Sequence, residues 1–339
     1  MARRKNASAD ASGQRPRAQD VAALADVSQM TVSRFLRAPD TVSPATRKRI
    51  AAAMRKTGYV PNRLAGGLAS NKTNLICLIV ADMRNPTLAA TVQGVCDAVG
   101  DQGYQIMLTM GGRSADAEER AIREALSHRP CAMLIHNTTH SAMTRRLLRD
   151  AAIPIVEIGH LSTRPIDSVV SYSNFDAIQA LTSHLLQFYR RIAFVGLAAR
   201  YGDRATARRD GYLAAMRAAN MDIDPAWVVE ASDNRSGAKL LTDILAQAPD
   251  VEAVIFGGGD LAYEAALERR RQGWESGSRR IAIACYDNAL VRSFPDIASL
   301  SIPRYEIGRK AIEIILARLR GELDSACRVE LPFALIAGS

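Results

Sequence analysis

The chain has 339 residues, 48% of them hydrophobic, and a net charge of +9, which implies two or three domains with cores of their own and excludes a disordered chain. No apolar run approaches the roughly 20 residues of a spanning helix, so no membrane partner is expected. The basic N-terminus is followed by Ala, Ser, Asp, Gly and Gln without an apolar stretch, so it does not read as a secretory signal. Five cysteines (Cys77, Cys96, Cys131, Cys285 and Cys327) form no CxxC pair, and several lie in apolar runs such as LICLIV and IAIACY. They read as buried thiols in a reducing compartment, which points to the cytoplasm.

The charge is unevenly placed. Residues 1–72 hold 14 Lys and Arg against 4 Asp and Glu, a net +10, whereas the remaining 267 residues hold 30 against 31, a net −1. A basic module on a neutral body is the electrostatic outline of a polyanion-binding head. Residues 1–16, rich in Ala, Ser, Gly and Arg, offer no core and read as a disordered basic tail. Residues 17–60 read as three short helices. In AQDVAALA, Val21, Ala22, Leu24 and Ala25 share a face; Asp26-Val27-Ser28 interrupts; Ser28 then caps QMTVSRFLR, with Val32, Phe35 and Leu36 inward. Ser43-Pro44 opens a third helix with Ile50 and Met54 inward, and Gly58 stops it. Two helices joined by a short turn in a basic context predict a helix-turn-helix. The outward residues of the second helix, Gln29, Met30, Thr31, Ser33, Arg34 and Arg37, include types that read bases and bind phosphates.

This stretch resembles the DNA-binding head and hinge of the LacI/GalR family of bacterial repressors. The likeness rests on Asp20-Val21-Ala22, Val27-Ser28, Thr31-Val32-Ser33-Arg34, Val42-Ser43, Thr46-Arg47, Gly58-Tyr59-Val60-Pro61-Asn62 and Leu68. QMTVSRFLR and the chain beyond it look most like the gluconate-operon branch. The resemblance implies that Gln29 and Met30 choose the operator and that Arg34 reads a base. It puts Thr31, Ser33 and Asn62 on phosphates, and makes Leu68, in a hinge over residues 61–73, a wedge for the minor groove. Two departures stand out. Arg17 occupies a position where the family often has a capping Thr, and Asp26 replaces a turn Gly, a place where Asp tolerates a left-handed backbone.

From Asn74 onward strands and helices alternate. Strand candidates cover residues 75–80, 104–110, 131–135, 153–158, 192–196, 251–256 and 281–286. Buried apolar strands separated by helices predict parallel sheets covered on both faces. The expected class is therefore α/β, with a helix-turn-helix head, a hinge and a two-lobed core of two doubly wound sheets over 74–339. Lobe one is expected to take about 74–172 plus 303–325, and lobe two about 173–302 plus 326–339. This resembles the periplasmic-binding-protein-like core of the same family, which implies a small-molecule effector, a sugar acid or a sugar, at the carboxyl ends of the strands. Asn85, Glu157, Asn174, Arg208, Asp260 and Asp287 fall at such ends and are the effector-binding candidates. Arg208 matches the arginine of the family's RxxGF stretch. Gly257-Gly258-Gly259 replaces side chains that hold sugar hydroxyls in the family and leaves room for a bulkier ligand or an anion. Glu157 would repel an anionic ligand unless protonated or set against a hydroxyl.

His136 and His140 lack the helical placement and third ligand that a metal site needs, so no metal and no cofactor are expected. Residues 302–322 read as an amphipathic helix that packs in the core, and without a leucine-heptad tail a homodimer is expected on operator double-stranded DNA. Two rivals are weighed: a transport-type sugar-binding protein without a transcriptional role, which lacks a reason for the basic head, and an enzyme, for which no nucleophile–base pair or cofactor loop is found.

Overall fold

The structure, a computed structural model, describes residues 16–61, 73–83, 88–112, 114–197, 202–232, 236–276 and 280–338. Residues 1–15 of the tail, most of the hinge with Asn62 and Leu68, and Asn85 lie outside them. Two compact units divide at Thr73 and Asn74.

The first unit is the three-helix head: α1 (Ala18–Ala25), α2 (Gln29–Arg37) and α3 (Pro44–Thr57). Asp20 caps α1 in place of a hydroxyl: the Arg17 backbone N–H donates to its carboxylate at 2.7 Å. Asp26 takes the left-handed turn at φ 49°. Ser28 and Ser43 cap α2 and α3 by accepting from the Thr31 and Thr46 backbone at 3.1 and 3.3 Å. Gly58 ends α3 at φ 67°. Val21, Ala22, Ala25, Val32, Val42, Ile50 and Ala53 form the core, with Phe35, Met54 and Tyr59 packed against it. Leu24 and Leu36, expected inside, are 43% and 37% exposed. At about 100° per residue, Leu24 falls well to the side of the face made by Val21, Ala22 and Ala25, and Leu36 sits at the rim.

The second unit has two six-stranded sheets. Sheet one comprises β1 (Leu75–Val80), β2 (Gln105–Met110), β3 (Ala132–Ile135), β4 (Ile155–Ile158), β5 (Ser168–Ser171) and β11 (Arg328–Glu330), in the order β11-β5-β4-β3-β1-β2, all parallel. Sheet two comprises β6 (Ile192–Leu197), β7 (Val228–Ala231), β8 (Ala253–Phe256), β9 (Ala282–Cys285), β10 (Ala298–Ser301) and β12 (Ala334–Ile336). Its order is β12-β10-β9-β8-β6-β7, with only β12 antiparallel. The intervening helices are α4 (Leu88–Val99), α5 (Ala115–Ser127) and α6 (Ala142–Asp150) in lobe one, then α7 (Asn174–Leu185), α8 (Asp203–Ala218), α9 (Gly237–Gln247) and α10 (Gly259–Arg271) in lobe two. Every residue of β3, β4 and β8 is buried, as strands covered on both faces must be.

In each sheet the strand order reverses beside the first strand, between β1 and β3 and between β6 and β8, which opens a crevice at the carboxyl ends. The chain crosses between lobes after Tyr172 and again before α11 (Arg304–Arg320), which packs on α4 and on β4 and β5 of lobe one. The last crossing is a correction. Residues 326–330 were expected in lobe two, but β11 pairs with β5, and the chain returns to lobe two only at β12. Val329 has too short an apolar neighbourhood to announce a strand; the open edge of β5 supplies its hydrogen-bond partners.

Helices α4 and α11 approach through glycine. A Cβ on Gly308 would run into the Thr91 carbonyl, and one on Gly94 into the Tyr305 carbonyl. Backbone cannot yield as a side-chain tip can, so Gly308→Ala is expected to destabilise the core by roughly 1–3 kcal/mol. Thermal or urea unfolding of the variant reads this, and a loss below about 0.5 kcal/mol would show that the helices separate without cost.

Candidate functional site

On the head, α2 presents Gln29, Met30 and Arg34 to solvent; Met30 is 71% exposed. An apolar side chain this bare contributes nothing to the head's core. Thr31 and Ser33 are half-buried beside them. The Thr31 hydroxyl lies 2.9 Å from that of Ser28, and Ser33 accepts from Arg37 at 3.0 Å. A hydroxyl that accepts one hydrogen bond can still donate its own hydrogen to a phosphate. The caps that define α2 therefore fix the axis from which all five side chains project.

In the core, a cavity of about 680 Å³ lies at the carboxyl ends of both sheets and is walled by both lobes. Arg208, Asp260 and Asp287 line it. Asn174 and Glu157 do not; both are fully buried behind it. Asn85 is outside the described residues.

Arg208, on α8, is aimed by three groups. Its Nε donates to Asn174 Oδ1 at 2.9 Å, one guanidinium nitrogen donates to the Gly257 carbonyl at 2.8 Å, and its carbon lies 3.4 Å from the centre of the Tyr286 ring. Asn174 is itself fixed, donating to the Gly159 carbonyl at 3.0 Å and receiving the Tyr172 hydroxyl at 3.2 Å. Burial, with Arg204 and Arg304 nearby, lowers the Arg208 pKa to about 10. It remains a cation at neutral pH, and the partners named here are neutral oxygens and a π face.

Arg304, at the start of α11, donates to Asp287 Oδ2 at 2.7 Å, while Asp287 Oδ1 accepts the Ala289 N–H at 2.9 Å. Arg204 lies 3.1 Å from His136 Nδ1. Burial and the charges of Arg204, Arg304 and Arg208 hold the His136 pKa well below its usual value, so this imidazole is neutral. Arg204 thus meets a neutral ring, and Arg304 and Arg208 are near enough for their charges to act on it. Thr138 donates to Asp203 Oδ2 at 2.6 Å, and the Asp203 N–H donates to Thr139 at 3.3 Å, which ties lobe one to the N-terminus of α8 beside these groups.

Glu157 is not set to meet a ligand. Its Oε2 accepts the Ile166 N–H at 2.5 Å, and its Oε1 lies 3.1 Å from His140 Nε2. The other His140 nitrogen lies 3.0 Å from Glu118 Oε2. The electrostatic objection that Glu157 raised against an anionic ligand is thereby offset locally by an imidazolium. Gly257, Gly258 and Gly259 all line the cavity. Gly257 offers its carbonyl to Arg208, and Asp260 occupies the first turn of α10, where its carboxylate already faces the positive helix end. Among the described residues, no group of three or more His, Cys, Asp and Glu could hold a metal ion.

Sequence reasoning passed over Arg204, Arg304, His136, Glu118 and Tyr286 as site residues. Arg304 carried a signal, because it stands at the lobe crossing. Glu118 lies within an ordinary amphipathic helix and carried none.

Comparison with known proteins places this geometry. Residues 73–337 match the family model described as periplasmic binding proteins and sugar binding domain of LacI family, and residues 18–62 match that of bacterial regulatory proteins, lacI family. The transcriptional regulator GntR of Escherichia coli strain K12 is 32% identical over 327 residues, covering 96% of this chain and 98% of its own. The regulator IdnR of the same strain is 27% identical, covering 95% and 97%. A solved LacI-family regulator from Silicibacter pomeroyi superposes with a TM-score of 0.85 at 31% identity, covering 95% of this chain and 98% of its own. The complex of the regulator CelR with cellobiose gives 0.68 at 28% identity, covering 95% and 99%.

The buried imidazolium has a measurable signature. Burial alone would lower the His140 pKa, but hydrogen bonds and charge from Glu118 and Glu157 raise it to about 9, against 6.5 ordinarily. A raised pKa stabilises the folded state fully below about 6.5, and the contribution is lost as pH climbs through about 9. Wild-type stability is therefore expected to fall by roughly 2–3 kcal/mol between these limits, and His140→Gln is expected to flatten that slope. Melting curves across pH 6–9.5 read it; parallel slopes would place the ring outside the charge network.

Proposed function

The chain belongs to the LacI family of bacterial transcriptional regulators, and on that premise we propose that it represses a carbohydrate-acid catabolic operon and responds to a small hydroxylated carboxylate of the gluconate type. DNA binding and regulation come with the family, whose members are regulators rather than enzymes. The effector is the new element.

The observation that carries it is Arg208. A cation in the cavity wall, met by an amide oxygen, a carbonyl and a ring, is oriented by these partners without being neutralised by them, and an anion would complete the set. A ligand carboxylate would take the remaining guanidinium N–H groups and relieve the mutual repulsion of Arg208, Arg204 and Arg304. Asp287 and Asp260 are the acceptors for hydroxyl hydrogens in the same wall. Asn174 acts through Arg208 as a positioning residue. Likeness to the gluconate-operon branch agrees with this chemistry.

On the DNA side, α2 is the proposed recognition helix of each protomer in a homodimer on a near-palindromic operator, with Gln29, Met30 and Arg34 toward bases and Thr31 and Ser33 toward phosphates. Asn62 and Leu68 remain proposed contacts by resemblance. Ligand binding between the lobes alters their closure and thereby operator affinity.

Two measurements test this reading. A thermal-shift screen of hexonates, ketohexonates, their phosphates and neutral sugars should give a stabilising acid. At 100 times its dissociation constant, such a ligand adds about 2.7 kcal/mol. Arg208→Ala should abolish the shift, and release of operator in gel shifts should follow the same ranking; a neutral sugar that stabilises the Arg208→Ala protein equally well would sink the assignment. For the head, Arg34→Ala should cost roughly 1–3 kcal/mol in operator binding and relax one base position. Exchange of Gln29 and Met30 together should redirect operator choice while ligand binding is unchanged. Unaltered operator preference would remove α2 from the base-reading role.

A further inference from the structure

We propose that Glu118, held by Asn137 and His140, makes the lobe-one wall of the cavity a filter that admits a hydroxylated neutral end and rejects a second anionic one. This rests on the reading of a hydroxy acid in this cavity and names its class more narrowly: one anionic group, at one end.

Glu118 is on α5, only 5% exposed, and belongs to the cavity wall. Each of its carboxylate oxygens is anchored. Oε1 accepts Asn137 Nδ2 at 2.8 Å, and Oε2 lies 3.0 Å from His140 Nδ1. Asn137 is steadied by donating as well to the Thr139 carbonyl at 2.9 Å. The His140 side chain is fully buried, and its other nitrogen lies 3.1 Å from Glu157 Oε1. Both ring nitrogens are thus committed to carboxylates, which is what an imidazolium requires. Two carboxylates share this one ring in the corner of lobe one. A carboxylate oxygen has two lone pairs, so after Asn137 and His140 are served Glu118 can still accept ligand hydroxyl hydrogens.

The other ionisable groups make the cavity lopsided. Lobe one adds a second carboxylate, Asp82, just after β1, and its remaining imidazole in the wall, His136, is neutral. The guanidinium groups come from α8 and from the lobe crossing. On the lobe-two side, Asp287 is paired with Arg304, Glu264 accepts the Gly237 N–H at 2.8 Å, and Asp260 sits at the positive end of α10. A carboxylate finds its partners at the arginine side. A second anionic group set against the lobe-one wall would meet Glu118 and Asp82, whereas a hydroxyl there donates to them.

The test is titration calorimetry on the full-length protein with D-gluconate, 6-phospho-D-gluconate and D-glucose as probes. Wild type is expected to prefer gluconate over its phosphate by roughly tenfold or more, the factor that about 1.4 kcal/mol makes. Glu118→Gln keeps the shape and removes the charge; it should weaken gluconate and narrow the preference by roughly tenfold. Asp82→Asn, outside the His140 cluster, should narrow it too and serves where Glu118→Gln folds poorly. A merely structural Glu118 would weaken both acids alike and leave their ratio unchanged, which overturns the proposal. So does wild-type protein that binds the phosphate as tightly as gluconate, an outcome that leaves the sugar-acid reading standing. Binding of glucose alone overturns both.

Discussion

The core is organised around orienting one arginine cation in the cavity wall. Arg208 has to be straight, aimed and backed, and each requirement recruits a different part of the chain. Straightness comes from Asn174, whose amide bridges Gly159 at the end of β4 to the guanidinium. Aim comes from the Gly257 carbonyl after β8, and backing from the Tyr286 ring after β9. Four strand ends from two sheets therefore meet at one side chain. The arrangement satisfies hydrogen bonding while leaving charge uncompensated, and that residue of unfavourable energy is what a ligand can recover.

The lobes share this burden. Lobe one supplies His136, Thr138, Thr139 and the Glu118–His140 pair, and lobe two supplies α8 with Asp203, Arg204 and Arg208. The Thr138–Asp203 bond joins them directly. A ligand that touches both walls biases the distance between lobes because its free energy depends on closure, which is the thermodynamic requirement for a switch. Three chain crossings, after Tyr172, before Arg304 and after Glu330, keep the lobes in one folded unit while leaving few covalent constraints on that distance. Arg304 stands at one of these crossings and reaches Asp287 across it, so the charge network and the hinge of the core coincide.

Much of this was legible in the order of residues, because long apolar strands and capped helices carry their own signals. LICLIV and VEAVIF announce central strands whatever surrounds them, and Ser28, Ser43 and Gly58 announce helix ends. The strands β5, β7, β10, β11 and β12 were not legible. They are three or four residues long, with sequences such as SVVS and ASLS, and exist because a neighbouring strand offers an edge. The same distinction governs the site. Arg208 and Asp287 were named by resemblance to the family's motifs and Asp260 by its place after a strand, and all three line the cavity. The reading of Glu157 as ligand-facing failed because side-chain direction at a strand end depends on pleat phase, and here it points to His140. Glu118 became visible only when folding brought α5 against residues 19 and 22 positions away.

The head shows why recognition can change without refolding. Its core is seven small or medium side chains, a modest store of buried surface for a module of this size. Such a core tolerates little loss, so residues proposed to choose an operator are best placed outside it. Gln29, Met30 and Arg34 are so placed: they are exposed, outside the buried cluster, and on a helix whose start is set by Ser28 rather than by them. The cavity follows the same rule at larger scale. Its lining sits on strand ends and helix starts, while the strands beneath it are buried along their length. Both proposed recognition surfaces can therefore vary at little cost in stability, whereas Asn174, which is not among the residues lining the cavity, cannot vary without releasing the arginine it holds.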